Sequence, residues 1–113
     1  MSSAIRFAPE TLRSLAFGSI GAGYTAIGTA MANPIRILLL QNLTDESLMF
    51  SFDGVNDHIP LSLGAYLLID VTANKSLPQG FYIAEGNSIY VKQIGAPTLG
   101  AAYISAFYGE TGY

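Results

Sequence analysis

From Tyr24 onward the chain is a succession of short apolar runs cut by turn residues, and that spacing leaves few folds open. IRILLLQNLT (35–44) places Ile35, Ile37 and Leu39 on one face and Arg36, Leu38 and Leu40 on the other, by the period-2 alternation of a strand. Leucine on both faces predicts burial on both sides, by the core and by a partner. LMFSFDG (48–54) alternates Leu48, Phe50 and Phe52 against Met49, Ser51 and Asp53. YTAIGTAM (24–31) is a weaker strand, and YLLIDVT (66–72) a further one. FYIAEGNSIYVKQI (81–94) reads as two strands joined near Glu85, Gly86 and Asn87, and AAYISAFYG (101–109) closes the series. TDES (44–47), ANKSLPQG (73–80) and GAPTLG (95–100) carry turn chemistry. The sum is about seven short strands with turn signals every 8–12 residues, which predicts an all-β antiparallel β-sandwich of jelly-roll-like type.

The first 23 residues differ. FAPETLRSLAF (7–17) can form a short helix, with Pro9 and Glu10 in its first turn and Leu12, Leu15 and Ala16 on one face. Two or three turns do not stand alone in water, so this helix needs a surface to lie on. GSIGAG (18–23) follows as a hinge. The expectation is an N-terminal arm (1–23) with a short helix, and a β-sandwich domain (24–113).

Composition narrows the function classes. Charged residues are 12% of the chain and hydrophobic residues 50%, against about 25% charged in ordinary soluble domains. A small domain has much surface and little interior, so a chain this apolar predicts exposed apolar patches that serve as interfaces. The five Lys and Arg are scattered and the net charge is −3, which gives no basic face for nucleic acid. The longest aliphatic run, Ile37 to Leu40, is far short of the roughly 20 residues of a spanning helix, so no membrane partner is expected. No long apolar stretch near Arg6 and Arg13 suggests a leader. There is no cysteine, hence no disulfide and no thiolate metal site.

SFDGVNDH (51–58) concentrates two aspartates, an asparagine, a glycine and the single histidine. The spacing of Asp53, Asn56 and Asp57 does not match a calcium loop, and no glutamate closes one. A zinc site without thiols needs more than one histidine, and only His58 exists. Asp53-Gly54 is a turn signal, so the stretch is expected to be a turn between strands. No serine lies in a nucleophile elbow that could recruit His58. Asp70, inside an apolar strand, is expected to face solvent, cap a loop or pair with Arg36 or Lys75. GSIGAG lacks the lysine of a phosphate loop. Asn42 to Thr44 matches a glycosylation sequon, without a secretory signal to give it meaning. The chain is therefore read as having no catalytic residue, cofactor or metal. The seven tyrosines and six phenylalanines suit core and interface, since no set of acids and amides accompanies them to read sugar hydroxyls.

Taken in order, several stretches form an outline. One strand ends in Asn-x-Thr-Asp (42–45) and another in Ser-Phe-Asp-Gly (51–54). Asp-x-Thr-x-Asn-Lys (70–75), Gly-x-x-Ile-Tyr-Val-Lys (86–92) and a final aromatic strand ending in Tyr-Gly (101–109) follow. This series, with FAPETLRSLAFGSI at the start, resembles a group of small structural proteins of tailed-bacteriophage virions. The resemblance implies a β-sandwich that assembles on the particle, at the head–tail neck as a collar or adaptor, or on the capsid shell. It implies a homo-oligomer with other virion proteins as partners, assembly in the host bacterial cytoplasm, residence in the virion and no catalysis. The interface residues expected on the arm and strands are Phe7, Leu12, Leu15, Phe17, Leu38, Leu40, Tyr90 and Tyr108. The competing reading is a capsid decoration protein, or a small carbohydrate- or receptor-binding module of the tail using Tyr82 or Tyr90.

Overall fold

The structure, a computed structural model, describes residues 4–71 and 83–112. Among them the chain is all-β. It forms β1 (Ala4–Pro9), β2 (Arg13–Ala16), β3 (Thr25–Ala26), β4 (Ile35–Asn42), β5 (Leu48–Ser51), β6 (Ile59–Leu61), β7 (Tyr66–Asp70), β8 (Tyr90–Gln93) and β9 (Ala101–Gly112). A five-stranded antiparallel sheet has the order β1-β9-β4-β7, with β2 also beside β9; a four-stranded one has the order β3-β8-β5-β6. The loop expected at 73–80 and the start of the strand expected from Phe81 lie outside the described residues. The weak strand expected over 24–31 shortens to β3, and Ile27 and Met31 beyond it donate backbone hydrogen bonds to Ile89 and Asn87.

Both sheets feed one core. Ile35, Leu38, Leu40, Ala102, Ile104 and Ala106 come from the five-stranded sheet, and Leu48, Phe50, Leu61 and Val91 from the other. Ile20, Ile27, Met31 and Ile89 close it from the connections.

The helical arm is not formed. Residues 4–9 and 13–16 lie extended along the edge of β9, β1 against 107–112 and β2 against 101–104. Glu10 bridges the two by donating its N–H to Ala106 O (2.9 Å). A two-turn helix gains little by itself, whereas the open edge of a twelve-residue strand offers every backbone group a partner, so tertiary pairing wins. The only helical piece among the described residues is a single 3-10 turn at Phe17–Ser19. β4 accompanies β9 only as far as Tyr108. Beyond it β1 and β9 run on as a two-stranded ribbon, and the molecule measures 54 × 23 × 21 Å.

The faces of β4 are set by a bulge. Ile35 opposes Tyr108 and Ile37 opposes Phe107, so Arg36 is one residue too many for the ladder. The extra residue turns the strand over. Ile35, Leu38, Leu40 and Asn42 all point into the core, and Ile37 and Leu39 point out.

Asn42 is fully buried and anchors the loops at the end of β4. Its Nδ2 donates to the carbonyls of Glu46 (2.8 Å), Leu61 (3.0 Å) and Ser62 (3.2 Å). Its Oδ1 accepts from the Thr44 N–H (3.0 Å) and the Thr44 hydroxyl (2.7 Å). The sequon is thus a structural clamp with its amide nitrogen occupied. Nearby, Gly100 adopts φ +88°, and a Cβ there would stand 2.0 Å from Leu43 O, so only glycine lets the two loops approach. We expect Asn42→Ala to lower the urea midpoint by an amount equivalent to about 3 kcal/mol, with little change in slope, because buried carbonyls lose their donors. Asn42→Asp should be worse, since it turns a carboxylate toward three carbonyl oxygens.

Candidate functional site

Alternation gives the five-stranded sheet two faces, and the outer one carries no core. Ile37, Leu39 and Gln41 of β4 lie there, flanked by Tyr66, Leu68 and Asp70 of β7 and by Tyr103, Ser105 and Phe107 of β9. Phe7 of β1 extends the face, its ring stacked on Phe107 with centroids 4.7 Å apart and planes 23° off parallel. Phe7, Tyr66 and Leu68 are 66%, 65% and 55% exposed. Among these paired positions Asp70 is the one formally charged side chain. An antiparallel sheet with one face in water normally carries polar residues there. A groove of about 220 Å³ opens between Phe7, Phe107 and Ile37, with Arg6 and Arg36 at its rim.

The expected interface residues are distributed unevenly. Phe7 lies on the outer face, while Leu12 and Phe17 are exposed in the connections after β1 and β2. Leu15 and Tyr108 are half-buried against the core. Tyr90 is half-buried on β8, its ring packed over Gly54. Leu38 and Leu40 are fully buried in the chain's own core, which corrects their placement at an interface. The bulge at Arg36 is the reason, because it hands the outward positions to Ile37 and Leu39. Sequence reasoning missed Ile37, Leu39, Tyr66, Leu68, Tyr103 and Phe107. The signal for Tyr66 and Leu68 was present in the alternation of YLLID, which puts an aromatic and a leucine on the same side as Asp70.

SFDGVNDH forms the connection from β5 to β6. Asp53 Oδ1 accepts from the N–H groups of Val55 and Asn56 (2.8 Å each) and from the Ser51 hydroxyl (2.9 Å). Asp53 Oδ2 accepts from Asn56 Nδ2 (2.9 Å). Ser51 Oγ in turn accepts from Gly54 N–H (2.9 Å), and Gly54 turns the chain at φ +77°. His58 Nδ1 accepts from Phe52 N–H (3.0 Å). The donors of Asn56 and Val55 hold the Asp53 carboxyl well below the usual aspartate range. Asp57 ties the loop to the sheet, accepting from the Tyr24 hydroxyl (2.5 Å) and pairing with Lys92 Nζ (3.0 Å), which lies 4.8 Å above the Tyr24 ring. Burial and the Asp57 carboxylate together push the Tyr24 phenol up to about 12. The polar groups of this stretch are spent on one another, as a rigid turn requires. Among the described residues no group of three or more His, Cys, Asp or Glu side chains is placed to hold a metal ion.

The strand that carries Phe7 is fixed by an ion pair. Arg13 and Glu10 side chains are 7% and 5% exposed, with Nη2 to Oε1 at 2.6 Å. Arg13 also donates to the carbonyls of Thr29 (2.7 Å) and Ala30 (3.0 Å). Glu10 accepts from Asn33 Nδ2 (2.8 Å) and Ala32 N–H (3.1 Å). Burial works to raise the Glu10 pKa, but the hydrogen bonds from Asn33, Arg13 and Ala32 outweigh it and bring it below 4.5.

A glutamate whose folded pKa is depressed contributes stability above its unfolded value, and that stability is lost as pH falls through the folded one. Stability should therefore decline on acidification below about pH 4.5, with Asp45, Asp53 and Asp57, all likewise depressed, adding to the slope. Glu10→Gln should cost about 2 kcal/mol at pH 7 and flatten part of that decline, as read from urea unfolding at pH 7, 4 and 3. No protein-family model, no curated protein and no solved structure matches this chain.

Proposed function

We infer that this chain is a non-enzymatic structural protein of a tailed-phage virion. In this reading its two sheets form a jelly-roll-like sandwich, and it assembles with copies of itself at the head–tail neck, as a collar or adaptor component. The observation that carries the reading is the outer face of the five-stranded sheet, whose paired positions are mostly apolar and include one charged side chain, Asp70. Such a face costs solubility unless something covers it, and a particle component spends its working life covered. Two further features support it. The residues of the phage-like outline serve as turn locks: Asn42 and Thr44 clamp one loop, Ser51 and Asp53 another. Asp45 holds a third by accepting from Thr98 N–H (2.8 Å) and the Thr98 hydroxyl (2.5 Å). Rigid loops suit a part that must keep its shape under load. The N-terminal segment, expected as a helical arm, still presents Phe7 of β1 and Leu12 of the connection after it outward, as an assembly contact would.

An antibody against the purified protein, applied to intact tailed-phage particles and viewed by negative-stain microscopy, tests this. Label at the head–tail junction is the expected outcome. Label spread over the shell would move the protein to a decoration role, and particles without label would overturn the virion reading.

A further inference from the structure

We propose that the outer face of the five-stranded sheet is a self-association surface, covered by the same face of a second copy of this chain. The inference rests on the reading above only in taking the face to be an assembly contact; it adds which partner covers it and how.

Area supports the choice. β7, β4, β9 and β1 hold 5, 8, 12 and 6 residues, each covering about 3.4 Å along its strand and about 4.8 Å across it, with β1 staggered beyond the end of β4. That is about 500 Å² of flat face per copy and about 1,000 Å² for a pair, which reaches the size of a specific contact before side-chain relief is counted. Two antiparallel sheets pack face to face about 10 Å apart with strands near −30°, so the geometry needs no rearrangement of either copy. The relief is suitable. Along β9 the rings of Tyr103 and Phe107 alternate with Ala101, Ser105 and Gly109, giving ridges and hollows that a rotated copy can interlock.

Charge argues for a like partner. Formal charge on the face is confined to Asp70 and to Arg6 and Arg36 at the groove's rim, so the face has no single sign for a basic or an acidic surface to match. A copy of the face meets apolar groups with apolar groups, and a two-fold axis near Leu39 and Ser105, which oppose each other at the centre, makes the contact close on itself. Three of the sheet edges are poorer candidates, which leaves the edge of β7 as the alternative the test must separate. β1 carries Pro9 and breaks at Glu10, β6 carries Pro60 over three residues, and β3 has only two.

Light scattering on a sizing column, with the full chain at micromolar concentration, tests the proposal. The wild-type protein should run at an even multiple of 12.0 kDa. Leu39→Lys should halve that mass, and so should Leu68→Lys, whose exposed position makes misfolding a poor explanation. Leu63→Lys, on the exposed turn before β7, should leave it unchanged, and all three should keep the wild-type circular dichroism. A wild-type protein at 12.0 kDa would mean that a different partner covers the face, and an oligomer surviving both face lysines would mean that copies meet elsewhere, such as along β7. Either result overturns the proposal. Particle labelling reports separately, so a monomer that still labels virions would sink the self-contact and leave the virion reading standing.

Discussion

The β4–β9 ladder organises this molecule. β9 is its longest strand, and β4 on one side and β1 with β2 on the other are all registered against it. Of its inward residues Ala102, Ile104 and Ala106 are buried and Tyr108 is half-buried against the core, so its position fixes the floor of the core. The single extra residue at Arg36 then decides which half of β4 faces that core. Remove the bulge and Leu38 and Leu40 would exchange places with Ile37 and Leu39, because a one-residue slip sends every side chain to the opposite face.

Around this ladder the loops are held by polar clamps. The chain has no cysteine, and its short strands leave long stretches to order. Asn42 with Thr44, Ser51 with Asp53, Asp45 with Thr98 and Glu10 with Arg13 each satisfy several backbone groups at once. Among the described residues no buried side-chain polar atom lacks a hydrogen-bond partner. Fully satisfied networks of this kind rigidify a structure, whereas partly satisfied ones would cost more than an apolar replacement. Their carboxylates work with depressed pKa values, which ties the integrity of the loops to pH.

The same economy shapes the functional reading. Charged side chains are few, and those in the chain's most chemically suggestive stretch hold turns. Apolar area is left on the surface both on one sheet face, at Phe7, Tyr66 and Leu68, and in the connections, at Leu43, Val55, Leu63 and Leu99 among others. The proposed assembly role draws on this area.

Sequence alone determined the all-β class, most of the strands from Ile35 onward and the turn at 51–58, because period-2 alternation and turn residues are local signals. It also foretold that apolar surface would be left over, since composition counts surface without placing it. It misread residues 7–17 as helix, because Pro9, Glu10 and the spacing of Leu12 and Leu15 are helix-compatible, and nothing local announces the open edge of β9 nearly a hundred residues away. It assigned Leu38 and Leu40 to an interface because alternation was counted without the bulge, which arises from pairing with β9. Nor could it show that Asn42 is a clamp, since three of its five partners are carbonyls that only folding brings to it. Pattern fixes what each segment can be; the partner strand decides which side of it meets water.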